Sequence, residues 1–274
     1  MISCVIPSRD RAGFLPRAID SVTCQDASGG IEIVLVDDGS VDGTADLVAR
    51  RYPGVRLLRT VGVGAAAARN TGVEAAAGEI IMFLDSDDRW LPGHVSALVA
   101  ALAEKGAACG VTRNVDEING EEFLVPLPSA GEEAVSYAAL SRWCNIMTSA
   151  LAVRRDFFVS CGGFPEEMGS LGEDWAFFIR LAARGGMGWA GPEAVSERFL
   201  HPGSSCALVS RDRLWRMFGD LSVVVGRERY QDKGGSVGPA FAEIIKWLER
   251  IEENRCLSVQ QWYLLMKRAG LVPP

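Results

Sequence analysis

Four short apolar runs, Ile2 to Ile6, Ile31 to Val36, Val55 to Leu58 and Ile80 to Leu84, lie near the N-terminal end, separated by segments of helical character. Phe14, Leu15, Ala18, Ile19 and Val22 recur at the spacing of one helix face. Thr44 to Arg51 and the alanine-rich Ala65 to Ala76 fill the later gaps. Apolar strands alternating with helices imply an α/β fold, a mostly parallel sheet covered on both faces. Open sheets of this kind collect ligands at the carboxyl ends of their strands. Pro7-Ser8-Arg9-Asp10 follows the first run, Asp37-Asp38-Gly39-Ser40 the second and Asp85-Ser86-Asp87-Asp88 the fourth. Three acidic strand ends at one edge are hard to explain as packing.

With 274 residues, 48% hydrophobic and 23% charged, one catalytic domain with a small C-terminal extension is the expected layout. The 28 basic and 35 acidic residues give a formal charge of -7, and there is no Lys/Arg block. A nucleic-acid backbone groove is therefore not expected, whereas small anionic ligands held through a metal remain compatible. The 7 cysteines are widely spaced and form no Cys-x-x-Cys pair, which fits a reducing cytoplasm. Pro7 and Arg9 cut the first apolar run too short for a signal sequence, and no run reaches the roughly 18 residues of a membrane span. A cytoplasmic enzyme is expected, with peripheral contact at a membrane left open.

Downstream, Leu91 to Glu104 reads as a helix, and Ala107 to Arg113 with Glu122 to Val125 as a hairpin around Asn119-Gly120. Met147 to Val153 is a strand candidate, and Asp174 to Ala183 a helix stopped by Gly185-Gly186. Helical patterns around Arg213 to Val225, Phe241 to Glu252 and Val259 to Ala269 follow, the first two separated by a linker, Asp232 to Gly238.

A buried strand ending in Asp85-Ser86-Asp87-Asp88 crowds carboxylates that need a cation or hydrogen-bond donors beside them. Mg²⁺ or Mn²⁺ meets that need, reaching the protein through one or two carboxylates while holding substrate phosphates. A solvated turn that caps the next helix is the competing reading.

The wider pattern resembles the inverting family 2 glycosyltransferases of the GT-A fold. The resemblance is carried by Val5-Ile6-Pro7-Ser8-Arg9-Asp10, by Val36-Asp37-Asp38-Gly39-Ser40 with Asp42-Gly43-Thr44, and by Ala68-Arg69-Asn70-Thr71-Gly72 leading into Ala77-Gly78-Glu79. It continues through Ile81-Met82-Phe83-Leu84-Asp85-Ser86-Asp87-Asp88, Gly162-Gly163-Phe164-Pro165-Glu166 and Gly172-Glu173-Asp174-Trp175, covering roughly residues 1 to 205. It implies a GT-A catalytic domain over residues 1–210, with a nucleotide-binding half (1–105) and an acceptor-binding half carrying the base (106–210). Residues 211–274 would form a helical C-terminal extension.

The resemblance also implies roles. Pro7, Ser8 and Arg9 would line the base, and Asp38 would accept from the base or ribose. Arg69 would point toward the donor, with a solvent-facing or structural arginine pairing with the acidic loop as the alternative; Asp85 would meet the metal's water shell or the ribose, and Ser86 is counted with the donor-binding residues. Asp87 would ligate the metal, Mn²⁺ or Mg²⁺, with His201 completing its shell, and Gly203-Ser204-Ser205 would close over the diphosphate. Asp174 would be the base that takes the acceptor proton. Trp143, Glu173 and Trp175 are candidates for contact with the sugars, Trp143 and Trp175 with core burial as the alternative. His94 is expected to be structural or exposed.

The partners implied are a nucleoside diphosphate sugar, most simply a UDP-sugar, and a small-molecule, glycan or lipid-linked acceptor; a homodimer is left open. Two departures matter. Arg9 and Asp10 stand where the family usually has an aromatic residue and asparagine, and Arg142-Trp143 lacks the glutamine of the processive Gln-x-x-Arg-Trp element. Addition of a single sugar is expected. A sugar-phosphate nucleotidyltransferase would want a Gly-rich basic loop, of which Arg9 to Gly13 is a poor version. A catalytically silent nucleotide-sugar binding protein is disfavoured by intact Asp87 and Asp174.

Overall fold

The computed structural model describes residues 1–103, 105–117, 120–125, 131–144, 146–169, 171–201, 204, 209–231, 239–251, 255–257 and 259–269. The linker expected at Asp232 to Gly238, Asn119 of the expected turn, and Gly203 and Ser205 lie outside them.

The N-terminal half runs β1 (Ile2–Ser8), α1 (Leu15–Thr23), β2 (Ile31–Asp37), α2 (Thr44–Arg51), β3 (Arg56–Arg59), α3 (Ala65–Ala75) and β4 (Ile80–Phe83). After the acidic turn come β5 (Arg89–Trp90), α4 (His94–Leu102), β6 (Ala107–Cys109), β7 (Val111–Asp116), β8 (Glu122–Val125), and the short helices α5 (Gly131–Ala134) and α6 (Tyr137–Leu140). Next are β9 (Leu151–Arg154), α7 (Arg155–Ser160), α8 (Glu173–Ala183), β10 (Met187–Trp189) and β11 (Val195–Leu200). The chain closes with β12 (Val209–Ser210), α9 (Arg211–Gln231), α10 (Pro239–Leu248), β13 (Cys256–Leu257) and α11 (Val259–Arg268).

Seven strands form the central sheet in the order β10-β6-β9-β4-β1-β2-β3. Within it β1 pairs in parallel with β2 (Val5 opposite Val34) and with β4 (Val5 opposite Phe83). Alternation then sends Val5 and Val34 into the core under α3 and α8, and Cys4, Ile6, Ile33 and Leu35 into the core under α1 and α4. The expected α/β architecture is what forms, with one reversal: β9 runs antiparallel to both β4 and β6. Helix α3 lies close on β1 because Gly72 has no side chain; a Cβ there would stand 2.3 Å from Val5 Cγ1.

Three expectations are corrected. The run Ala107 to Arg113 is two strands, β6 in the central sheet and β7 in a second sheet ordered β5-β11-β7-β8. Gly110 makes the crossing, since a Cβ there would lie 2.1 Å from the Ala194 carbonyl oxygen. The hairpin itself forms, as β7 with β8. Thr148–Ala150 is a 3₁₀ turn, and the strand starts only at Leu151. The extension is not purely helical, because β12 pairs antiparallel with β13. Trp262, fully buried, donates its indole N–H to the Val209 carbonyl at 2.7 Å, so residues beyond 210 share the core of the domain.

Candidate active site

The acidic turn leaves the sheet where Leu84 N–H still bonds to the Val5 carbonyl at 3.1 Å. Ser149, from the turn before β9, holds it from the other side. Asp85 N–H donates to Ser149 Oγ at 3.1 Å, and Ser149 Oγ donates to Asp88 Oδ2 at 2.6 Å. Asp88 is buried, and burial together with the charges of Asp85 and Asp87 pushes its carboxyl well above the usual carboxylate range. It caps no helix: α4 begins at His94, with Gly93 at the cap position.

Asp87 points elsewhere. Its Oδ2 lies 3.2 Å from His201 Nε2 and 3.6 Å from Arg11 Nε, and its carbonyl accepts from Arg17 Nη2 at 2.5 Å. Phe14 stacks on the His201 ring with centroids 4.6 Å apart, and the His201 N–H donates to Ser204 Oγ at 3.1 Å. The two residues expected to share a metal thus meet although 114 positions separate them.

Arg69 joins the acidic turn to α8. Only 5% exposed, it donates through Nη2 to Asp85 Oδ1 at 2.8 Å and through Nη1 to Glu173 Oε1 at 3.3 Å. Burial opposes its charge, but Asp85 and Glu173 more than offset that. Its neighbour Asn70 clamps the Gly163-Phe164 loop: Asn70 Nδ2 donates to the Phe164 carbonyl at 2.9 Å, and Phe164 N–H returns a bond to Asn70 Oδ1 at 3.0 Å. Phe164 then packs under Arg69, 5.2 Å from ring centroid to guanidinium carbon.

Helix α8 starts at Glu173. Burial and the adjacent Asp174 raise the Glu173 carboxyl to about 7 against the pull of Arg69. Asp174 is half-buried, with Oδ1 accepting from the Trp175 N–H at 2.7 Å. Burial raises its pKa too, opposed by Arg69 and Arg198. A carboxylate held so that it takes up a proton more readily than usual is suited to general-base work.

At the carboxyl end of β2, Asp38 is committed to the following loop. Thr60 Oγ1 (2.6 Å) and the N–H groups of Val63 (2.8 Å) and Gly64 (2.9 Å) donate to its carboxylate. Burial works to raise its pKa, but these donors win and hold it below the ordinary value. Pro7 and Ser8 close β1 beside it, with the Ser8 carbonyl accepting from Asp38 N–H at 2.8 Å. Arg9 reaches over Gly62 of the same loop. Asp10 takes φ 52, unusual outside glycine, and its side chain secures the turn by accepting from Val41 N–H at 2.8 Å.

Some expected roles do not survive. Trp175, 4% exposed, gives its indole N–H to the Leu140 carbonyl at 2.5 Å and packs edge-on to Trp143 and Phe218, so it is core rather than a wall for sugars. Trp143 is half-buried against it. Glu173 faces Arg69 rather than open space. The structural alternative expected for His94 is the one that forms: it is fully buried and stacked on Trp90, with burial lowering its pKa to about 3. Ser86 is buried within the acidic turn. Sequence reasoning missed Ser149, and also Arg198, whose charge acts on both Asp88 and Asp174; β11 was not recognised as a strand.

Among the described residues no group of three or more His, Cys, Asp or Glu side chains is placed to hold a metal ion. The carboxylate oxygen of Asp87 and the imidazole nitrogen of His201 nevertheless converge, a donor set that fits a divalent ion drawing further oxygens from a diphosphate. No helix of the described residues is long and apolar enough to cross a membrane.

A mostly parallel sheet with its polar residues at one edge, an acidic turn and a remote carboxylate make up a GT-A type of glycosyltransferase architecture. The chain belongs to glycosyl transferase family 2, whose sequence model matches residues 3–159. A PGL/p-HBAD biosynthesis glycosyltransferase of Mycobacterium tuberculosis is 32% identical over 205 residues, 73% of this chain and 74% of that protein. The uncharacterized glycosyltransferase alr2836 of Nostoc is 34% identical over 166 residues, which cover 57% of this chain but 51% of that longer protein. The fold is similar to the crystal structure of S. aureus TarS 1–349 in complex with UDP-GlcNAc, at a TM-score of 0.67 and 21% identity, covering 81% of this chain and 66% of that one.

Proposed function

We propose that the protein transfers a single sugar, with inversion, from a UDP-sugar to an acceptor hydroxyl in a metal-dependent reaction. The observation that carries this reading is the divided acidic site: Asp87 with His201 on one side, Asp174 on the other, and Arg69 fixing Asp85 and Glu173 between them. Family membership and a TarS relative solved with UDP-GlcNAc support a nucleotide-sugar donor.

In this reading the edge formed by Pro7, Ser8, Arg9 and the loop fixed by Asp38 receives the nucleoside. Asp87 and His201 would hold Mn²⁺ or Mg²⁺, which when bound offsets charge on the departing diphosphate. Asp174 accepts the acceptor's hydroxyl proton as that oxygen attacks the anomeric carbon from the face opposite the leaving group. Arg69 keeps the turn and the base helix in fixed relation, so that little reorganisation is needed during reaction. A nucleotidyltransferase is less well supported. The N–H groups of Val41 and Ala12, which a triphosphate loop would offer, are bonded to Asp10 and Asp42.

The test is transfer, or slow hydrolysis, with a panel of UDP-, dTDP- and GDP-sugars, with and without Mn²⁺. Turnover of a UDP-sugar only when metal is present is expected. Equal rates after chelation would remove the metal role, and preference for another nucleotide would remove the uridine assignment.

A further inference from the structure

Helix α1 runs beside the main chain that leaves the acidic turn, and side chains spaced four residues apart hold that chain at three points. Arg17 Nη2 donates to the Asp87 carbonyl at 2.5 Å, Ser21 Oγ accepts from Trp90 N–H at 3.1 Å, and Gln25 Nε2 donates to the Leu91 carbonyl at 3.0 Å. Positions 17 and 21 share a helix face, and Gln25 continues the row just past the helix end at Thr23.

The first of these contacts reaches further than the others. The Arg17 guanidinium lies on the Phe199 ring, 3.5 Å from its carbon to the ring centroid, and Nη1 lies 3.4 Å from Glu117 Oε1. Phe199 belongs to β11, two residues before His201. Phe14 stands three residues before Arg17, on the same side of the helix, and stacks on the His201 imidazole with centroids 4.6 Å apart. One turn of α1 thus touches the backbone of Asp87, the strand that leads to His201 and the His201 ring itself.

Packing alone does not account for an arginine at position 17. Its Nε is buried with no hydrogen-bond partner among the described residues, a cost that a methionine of similar length on the Phe199 ring would not incur. What arginine supplies is the donor to Asp87. The Asp87 carboxylate and the His201 imidazole, 3.2 Å apart, come from segments 114 positions apart, so their relation depends on whatever ties both to one body.

We propose that Arg17 is a positioning residue for Asp87 and His201: it fixes the Asp87 backbone directly and the His201 ring through Phe199 and Phe14, so that both ligating atoms face one point. The inference rests on the reading of that pair as divalent-metal ligands. It gives α1, which supplies no ligand, a share in the affinity for the ion, because groups that hold a ligand in place govern metal binding almost as strongly as the ligand does.

The test is Mn²⁺ binding to the full chain, read as free Mn²⁺ by electron paramagnetic resonance. Arg17→Met keeps the apolar length on Phe199 and removes the donor, and its Mn²⁺ dissociation constant is expected to rise about tenfold. Arg17→Lys, which retains a donor, should recover part of that loss. Phe14→Leu breaks the other arm of the clamp and is expected to weaken Mn²⁺ binding as well, which keeps the test decisive if Arg17→Met does not fold. In transfer assays Arg17→Met should need more Mn²⁺ for half-maximal rate, while kcat at saturating Mn²⁺ returns close to the wild-type value. A general loss of structure would not give that split. The His201 ring protons provide a readout without metal, and with 2 histidines in the chain their assignment needs one variant. Stacking on Phe14 should shift them upfield in the wild type, and Arg17→Met should return them toward the free imidazole value. Unchanged Mn²⁺ affinity in both Arg17→Met and Phe14→Leu overturns the proposal. A wild type that binds no Mn²⁺ sinks the metal reading instead, and the His201 shifts then decide the positioning role by themselves.

Discussion

Arg69 Nη2 donates to Asp85 Oδ1 at 2.8 Å, while Nη1 of the same guanidinium lies 3.3 Å from Glu173 Oε1. A cation enclosed between a strand-end carboxylate and a helix-start carboxylate makes the geometry of two distant segments a single variable. Removing it leaves Glu173 buried without its partner. Arg69→Met is expected to lower stability by about 3 kcal/mol and to reduce turnover further than that loss explains. Arg69→Met with Glu173→Gln should recover part of the melting temperature but not the turnover. A wild-type melting curve for Arg69→Met would show that the bridge contributes nothing.

Glu173 supplies a pH signature. Its carboxyl ionises near 4.5 in an unfolded chain and near 7 in the fold, so within that window the native state holds a proton that the unfolded state has released. Stability therefore falls as pH rises from 4.5 to about 7 and levels off above it. Glu173→Gln cannot release that proton, so its melting temperature should decline less across the same range. Parallel curves for variant and wild type would contradict the assignment.

Asp174→Asn keeps the shape of the side chain and removes the proton acceptor. Turnover is expected to fall by about 10²- to 10⁴-fold, with UDP affinity in Mn²⁺ unchanged by isothermal titration. Retention of most of the activity would mean that another group takes the proton.

The pairing of Asp87 with His201 is tested by metal dependence. Asp87→Asn and His201→Ala should each raise the Mn²⁺ concentration needed for half-maximal transfer. Both should also shrink the melting-temperature increase given by UDP with Mn²⁺. A Mn²⁺ requirement unmoved by either change places the ion elsewhere.

Gly72→Ala provides a control away from the chemistry. The added methyl would meet Val5 at 2.3 Å in the centre of the sheet, and β-branched Val5 has little room to turn, so a loss of about 1 to 3 kcal/mol is expected. Unchanged stability would mean that α3 has room on β1 for the extra methyl.

The parallel half of the fold was legible because its signals are local. Each strand is an apolar run ending at a turn, and β1, β2 and β4 all begin where the runs begin. Asp87, His201 and Asp174 were reachable through motif resemblance. The second sheet was not legible, because Val195–Leu200 carries Glu197 and Arg198 in mid-strand and does not read as an apolar run. Glu197 is held there by Arg89 and Arg113, partners far away in the chain. Trp175 was ambiguous for the opposite reason: an aromatic at the start of a helix looks alike in sequence whether it faces a ligand or, as here, the Leu140 carbonyl. Motifs marked Arg69 as notable, but only three-dimensional contact reveals that both its partners are protein carboxylates.

Ser149 accepts from Asp85 N–H, and so its own hydrogen is left to point at Asp88. The turn before β9 and the turn after β4 are thereby bolted together by a hydroxyl whose orientation has no second choice. The two turns cannot drift apart at this seam without stripping a buried carboxyl of its donor, so the ground around the acidic turn behaves as one plate.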